Sequence, residues 1–191
     1  KPGVTDASMV VDAVSLESIY ECNLVPNASF EEGTDISDGN FVTNVDPDFH
    51  TSGWKGGILT CGGEKTFCKP RMYDGLYGMA LHWQYPSTEL DVSVPVDGRF
   101  VLSFAGTSRA PGQQTACRNT VTAYIDDVPV ASLLPDSWES WETRSGRIRL
   151  QRGTHRLKFV GVVPSGIDSS TVIDGIELRA LPEKGLAILF R

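Results

Sequence analysis

The stretch TVIDGIEL, residues 171–178, alternates like a β-strand but carries one aspartate, Asp174, among its apolar residues. The same period-2 alternation recurs in YGMALHWQ (77–84), ELDVSVP (89–95), RFVLSFAG (99–106), NTVTAYID (119–126), SGRIRLQ (145–151) and THRLKFVGV (154–162). Turn signals separate these runs: VDG, APGQ, DDVP, QRG and PSG. No window repeats apolar residues at i, i+3, i+4 and i+7 between helix caps. Short strands at this spacing predict an all-β chain folded as an antiparallel β-sandwich.

Bulk properties narrow the functional classes. The length of 191 residues suffices for one sizeable domain with its own core. With 40% hydrophobic and 21% charged residues, disorder is disfavoured. A net charge of -7 argues against nucleic acid or an anionic membrane as partner, since both attract lysine and arginine. No apolar run approaches the roughly 20 residues a membrane helix needs.

Four cysteines, Cys22, Cys61, Cys68 and Cys117, allow three pairings. Cys61 and Cys68 flank the polar loop GGEKTF, which a disulfide would staple, leaving Cys22 with Cys117. Zinc is the rival reading, but it calls for short Cys-x2-4-Cys pairs, and His50, His82 and His155 are scattered. Disulfides imply an extracellular protein, secreted or on the cell surface. Asn27-Ala28-Ser29 is then an acceptor sequence for N-glycosylation.

One internal repeat bears on organisation. DASMVVDAVSLES (6–18) aligns with DSSTVIDGIELRA (168–180), matching Asp12 to Asp174 and Leu16 to Leu178. Residues 1–18 therefore read as the final strand of a preceding similar module, or a donated strand. The module itself spans 19–181, with 19–22 as linker, and 182–191 form a C-terminal extension.

Taken in order, NLVPNASFEEG (23–33), GW (53–54), VDGRFVLSFAG, NTVTAYIDDVPV, RGTHRLKFVG and DSSTVIDGIEL resemble the galactose-binding-like jelly rolls of secreted carbohydrate-binding modules and of cell-wall-associated domains of unknown function. The resemblance covers residues 23–181 and implies a jelly-roll sandwich with a structural calcium ion between the N-terminal loop and the last strand. Calcium takes six to eight oxygen ligands. Glu31 or Glu32 would supply one carboxylate and Asp174 another, with Asp35 and Asp38 in GTDISDGN (33–40) as further donors. An unpaired aspartate at 174 would be costly to bury, and a cation relieves that cost.

Sugar sites stack aromatic rings on pyranose faces. The candidates are Trp54, Tyr73, Tyr77, Trp83, Tyr85, Trp138 and Trp141. Trp54 and Trp141 are expected to pack in the interior. In ALHWQY, Leu81, Trp83 and Tyr85 share one strand face, so a core-facing Leu81 takes Trp83 with it and turns His82 and Gln84 outward. Arg71, Tyr73, Asp74 and Arg109 lie in loops and are the expected ligand-binding residues. Neither Gly-x-Ser-x-Gly nor His-Glu-x-x-His occurs, which points away from an enzyme. The expected function is a non-catalytic extracellular module that binds carbohydrate. The alternative is a structural or adhesive repeat that joins neighbouring copies head-to-tail into a filament by strand addition.

Overall fold

The computed structural model describes residues 22–33, 36, 41–43, 51–62, 71–109, 119–162 and 169–182. They contain strands and no helix: β1 (Phe41–Thr43), β2 (Lys55–Gly56), β3 (Ile58–Cys61), β4 (Tyr77–His82), β5 (Ser87–Val94), β6 (Gly98–Ser108), β7 (Thr120–Ile125), β8 (Val128–Leu133), β9 (Glu142–Leu150), β10 (Gly153–Val162) and β11 (Ser170–Ala180). Two antiparallel sheets form, ordered β1-β3-β4-β11-β6-β9 and β2-β5-β10-β7-β8. They stack as an antiparallel jelly-roll β-sandwich.

Alternation explains the stacking. Leu90, Val92 and Val94 on β5, Leu157 and Phe159 on β10, and Val121, Ala123 and Ile125 on β7 all face inward. They meet Phe100, Leu102 and Phe104 of β6 and Ile173, Ile176 and Leu178 of β11. Phe104 and Phe159 join the two layers edge-on, with ring centroids 5.1 Å apart. Trp54 is buried as expected. Its ring lies 5.1 Å from Phe30 and 6.2 Å from Phe159, and its Nε1 donates to the Asn27 carbonyl.

Two expectations are corrected. Strand β4 stops at His82 instead of running to residue 84, because His82 and Tyr85 exchange backbone hydrogen bonds across a two-residue turn. Trp83 sits at that turn, 53% exposed, rather than in the core. His82 does lie on the outer face, but covered rather than open. Strand β8 follows a turn at Asp126 and Asp127 and contains Pro129, which argues against a central strand; β8 is an edge strand, where proline is tolerated.

The β7–β8 turn places Asp126 and Asp127 at φ 50° and 64°. Asp126 Oδ2 lies 2.6 Å from His155 Nδ1, while Nε2 of the same ring lies 2.8 Å from the Gln151 carbonyl. Arg156 pairs with Asp127 at 2.7 Å.

The segment 1–18, Asp35, Asp38, Cys68, Cys117 and the tail beyond Pro182 fall outside the described residues.

Candidate functional site

Strand β11 is irregular between Asp174 and Glu177, where a bulge interrupts its pairing with β6. Before the bulge, Ile173 faces the core while Val172 and Asp174 face outward; after it, Ile176 and Leu178 face the core and Glu177 faces outward. Gly175, at φ 55°, makes the change of face. Outside the six-stranded sheet, Val172, Ile58, Ala80 and Met72 form a second small apolar cluster against Tyr85 and Trp141. Trp141 therefore packs, but half-buried on the outer face of the sheet and not in the interior. Its Nε1 donates to the Arg71 carbonyl at 3.0 Å, and its ring is 5.9 Å from Tyr73.

Loop 71–76 is held down by two carboxylates. Glu31 Oε1 accepts the amides of Leu76 and Tyr77, each at 2.8 Å. Asp174 accepts the Asp74 amide at 2.8 Å and its neighbour Gly175's at 2.6 Å. A side chain on Gly75, at φ 69°, would fall on the Glu31 carboxylate, so the chain must be bare there. The pair Glu31 and Asp174 thus meets on one loop. Asp74 joins them, with its Oδ2 accepting from Ser29 Oγ at 2.6 Å.

Asp174 is fully buried. Burial pushes its pKa up to about 7 against the pull of the two amides, and the negative charges of Asp74 and Glu31 add to the rise. No cationic side chain contributes to that shift. A buried carboxylate with amide donors and anionic neighbours suits a hard, oxygen-seeking cation. Among the described residues, however, no three such groups stand close enough to hold a metal ion. Glu32 is exposed and takes part through its backbone alone, exchanging hydrogen bonds with the Asn27 side chain. The Asn27 amide nitrogen is thereby engaged, 2.9 Å from the Glu32 carbonyl.

Beside this loop lies an open cleft of about 620 Å³. Tyr73 and Asp74 form one wall, and Ser103, Thr143, Ser145 and Glu177 lie across the sheet face below. Arg144 lines it too, 3.8 Å from Glu142. Tyr73 is 51% exposed. Of the loop residues expected to bind ligand, Tyr73 and Asp74 come together here. Arg71 is exposed behind them and meets Trp141 through its backbone, while Arg109 lies beyond the end of β6, its amide bonded to the Ser170 carbonyl. The strand residues of the cleft carry no sequence signal beyond ordinary outward alternation; only the register reveals them.

Cys61 is buried at the end of β3 and Cys22 is exposed. Their expected partners are outside the described residues.

No protein-family model matches the sequence, and no curated protein matches it. The fold is similar to solved structures. The Stig cyclase Fisc from Fischerella sp. TAU, in complex with an indole compound, aligns with TM-score 0.57 and 11% identity over 84% of this chain and 97% of that one. TmCBM61, in complex with β-1,4-galactotriose, aligns with TM-score 0.52 and 16% identity over 84% of this chain and 99% of that one. At these identities the likeness establishes the β-sandwich architecture.

Proposed function

We propose that this chain is a non-catalytic carbohydrate-binding module and that the cleft beside loop 71–76 is its site. The observation that carries the reading is Tyr73, half exposed on a cleft that the carboxylate residues Asp74 and Glu177 also line. An aromatic face takes the C–H face of a sugar ring, and carboxylate and hydroxyl groups bond its hydroxyls. The similarity to a module solved with β-1,4-galactotriose supports this reading. Asp174, the one acid among the described residues held near neutrality, is fully buried with amides on both oxygens and does not line the cleft, which favours binding over catalysis. Calorimetric titration with β-1,4-galactooligosaccharides and a broader glycan array tests it. Submillimolar binding that falls at least tenfold in Tyr73→Ala is expected; absence of binding to any glycan overturns it.

In the same reading, calcium holds Asp174 and Glu31 together with oxygens from the 33–40 segment, including Asp35 and Asp38. It fixes loop 71–76 from below. The extracellular setting and the Cys61–Cys68 and Cys22–Cys117 bridges belong to this proposal as well. A second reading, head-to-tail assembly through residues 1–18, rests on the match of Asp12 to Asp174 in the repeat. Deleting residues 1–18 tests it: the filament reading expects an assembled protein to become monomeric while still melting cooperatively.

A further inference from the structure

The register of the six-stranded sheet sets rows of arginine beside the cleft. Strands β6 and β9 place Arg99 opposite Arg149 and Val101 opposite Arg147, and β11 brings Arg179 opposite Val101. Phe100, Leu102, Leu150 and Leu178 face the core, so alternation turns all four arginines outward. The next row along the same face is Ser145, Ser103 and Glu177, the floor of the cleft. The face therefore passes from Tyr73 and Asp74, across small hydroxyl residues, onto a basic patch.

Folding alone does not favour this patch. Like charges directly opposite on paired strands are destabilising. The chain has 24 acidic against 17 basic residues, so carboxylates are in good supply. Yet among the described residues Arg99, Arg147 and Arg149 form no ion pair. Arg179 pairs only with Glu177, at 2.8 Å, and its Nε is buried without a hydrogen-bond partner.

We propose that the cleft and the arginine rows form one surface for an acidic polysaccharide. A sugar ring sits against Tyr73, and carboxylate or sulfate groups further along the glycan meet Arg147, Arg149, Arg99 and Arg179. The proposal rests on reading the cleft as a saccharide site and names the ligand class for it. Guanidinium groups present flat, forked donors that match carboxylate and sulfate oxygens. Alternate residues on a strand lie about 6.7 Å apart, so the two arginine rows begin one and two such steps from the Ser103 row, within the span of a short oligosaccharide. The small Ser103, Ser145 and Thr143 side chains leave the path between them open. The negative charge of the whole chain works against polyanions that lack a sugar fit.

The test is calorimetric titration of the whole chain with a neutral β-1,4-galactan oligosaccharide, an oligogalacturonate and a sulfated galactan of similar length. One acidic glycan is expected to bind about tenfold tighter than the neutral one at low salt, with the advantage largely lost near 0.5 M salt. Which acidic glycan gains identifies carboxylate or sulfate as the anion. The double variant R147E/R149E should abolish the gain without lowering the melting temperature, since a glutamate at position 149 would face Arg99 as an opposite charge. Equal affinity for acidic and neutral glycans, or an unaffected double variant, overturns the inference while the saccharide cleft stands. If a DNA oligonucleotide or phosphatidylserine vesicles bind as tightly as the acidic glycan, the patch is a general polyanion surface and the inference is likewise overturned. If no saccharide binds at all, the cleft reading falls with it.

Discussion

The ring of Tyr73 lies directly over Gly175, so close that a methyl group on the glycine would come within 2.6 Å of it. Gly175 also has φ 55°, a left-handed conformation that costs an L-residue about 1–2 kcal/mol. The substitution Gly175→Ala is expected to destabilise the domain by about 1–3 kcal/mol and to displace Tyr73 from the cleft wall. Denaturant unfolding measures the first effect. A change in Trp141 fluorescence reports the second, since that ring is 5.9 Å from Tyr73.

Asp174 makes stability depend on pH in a direction unusual for an aspartate. Its folded pKa is raised from 3.8 to about 7, so the neutral form is favoured by folding. The corresponding stability is fully present below pH 3.8 and is lost as pH rises through about 7, a change of about 4 kcal/mol without a bound cation. Calcium should restore stability by binding the ionised form, and more at pH 8 than at pH 5. Melting temperatures in calcium and in chelator at both pH values check this. An unchanged melting temperature in chelator at pH 8 would remove calcium from the account. Asp174→Asn, which retains one acceptor and sets an NH2 group against a loop amide, should lose both the pH slope and the calcium effect.

The pair His155 and Asp126 contributes stability over a pH window bounded on both sides. Burial pushes the His155 pKa down, but its bonds to Asp126 and the Gln151 carbonyl outweigh this and raise it above 6.5. For Asp126, burial pushes up and is outweighed by hydrogen bonds to His155 and the Arg156 amide, leaving it below 3.8. The His155 contribution is present below pH 6.5 and lost as pH rises through the raised value. The Asp126 contribution is present above pH 3.8 and lost as pH falls through the lowered one. Because Asp126 is half exposed, the pair is worth at most about 1 kcal/mol. His155→Gln should cost that much near pH 5.5 and less at pH 9. An NMR titration of the His155 ring should give a midpoint above 6.5.

The two tryptophans at 54 and 83 should behave as opposites. Trp54→Ala removes a side chain packed between Phe30 and Phe159 and should cost about 3–5 kcal/mol. Trp83→Ala, at an exposed turn, should change stability by less than about 0.5 kcal/mol. Urea unfolding of both variants decides whether β4 ends at His82.

Most of the fold was legible because each sheet has one face in the core and one outside, which writes a period of two into β5, β6, β7 and β10. Strand β3 has four consecutive buried residues, Ile58 to Cys61, and so carries no such alternation. Trp83 was misplaced because alternation cannot announce where a strand stops; that is decided by the hydrogen bonds between His82 and Tyr85. Tyr73 and Asp74 were legible as loop residues, and the meeting of Glu31 with Asp174 came from the resemblance to known modules. The role of Asp74 as third carboxylate depends on loop 71–76 folding back onto β11, a long-range contact that local pattern does not encode. Ser103, Arg144, Ser145 and Glu177 come from three different strands and are assembled only by pairing.

The bulge in β11 gives one strand two phases. Up to Asp174 the even-numbered residues 172 and 174 point outward; from Ile176 onward it is the odd-numbered ones, Glu177 and Arg179. Gly175 is the extra residue between them: counted without it, Ile173, Ile176 and Leu178 face inward and Asp174, Glu177 and Arg179 outward in plain alternation. The extra residue bends the strand at the place where the loop carrying Tyr73 is fastened without turning a core residue outward. It is also selective toward imitation. The repeat at residues 6–18 reproduces the aspartate and the flanking apolar residues but has Ala13 where this strand has Gly175. A copy of that sequence exchanged into the position of β11 would have to force an alanine into the left-handed conformation to keep the bulge, so the resident strand holds its place against that competitor.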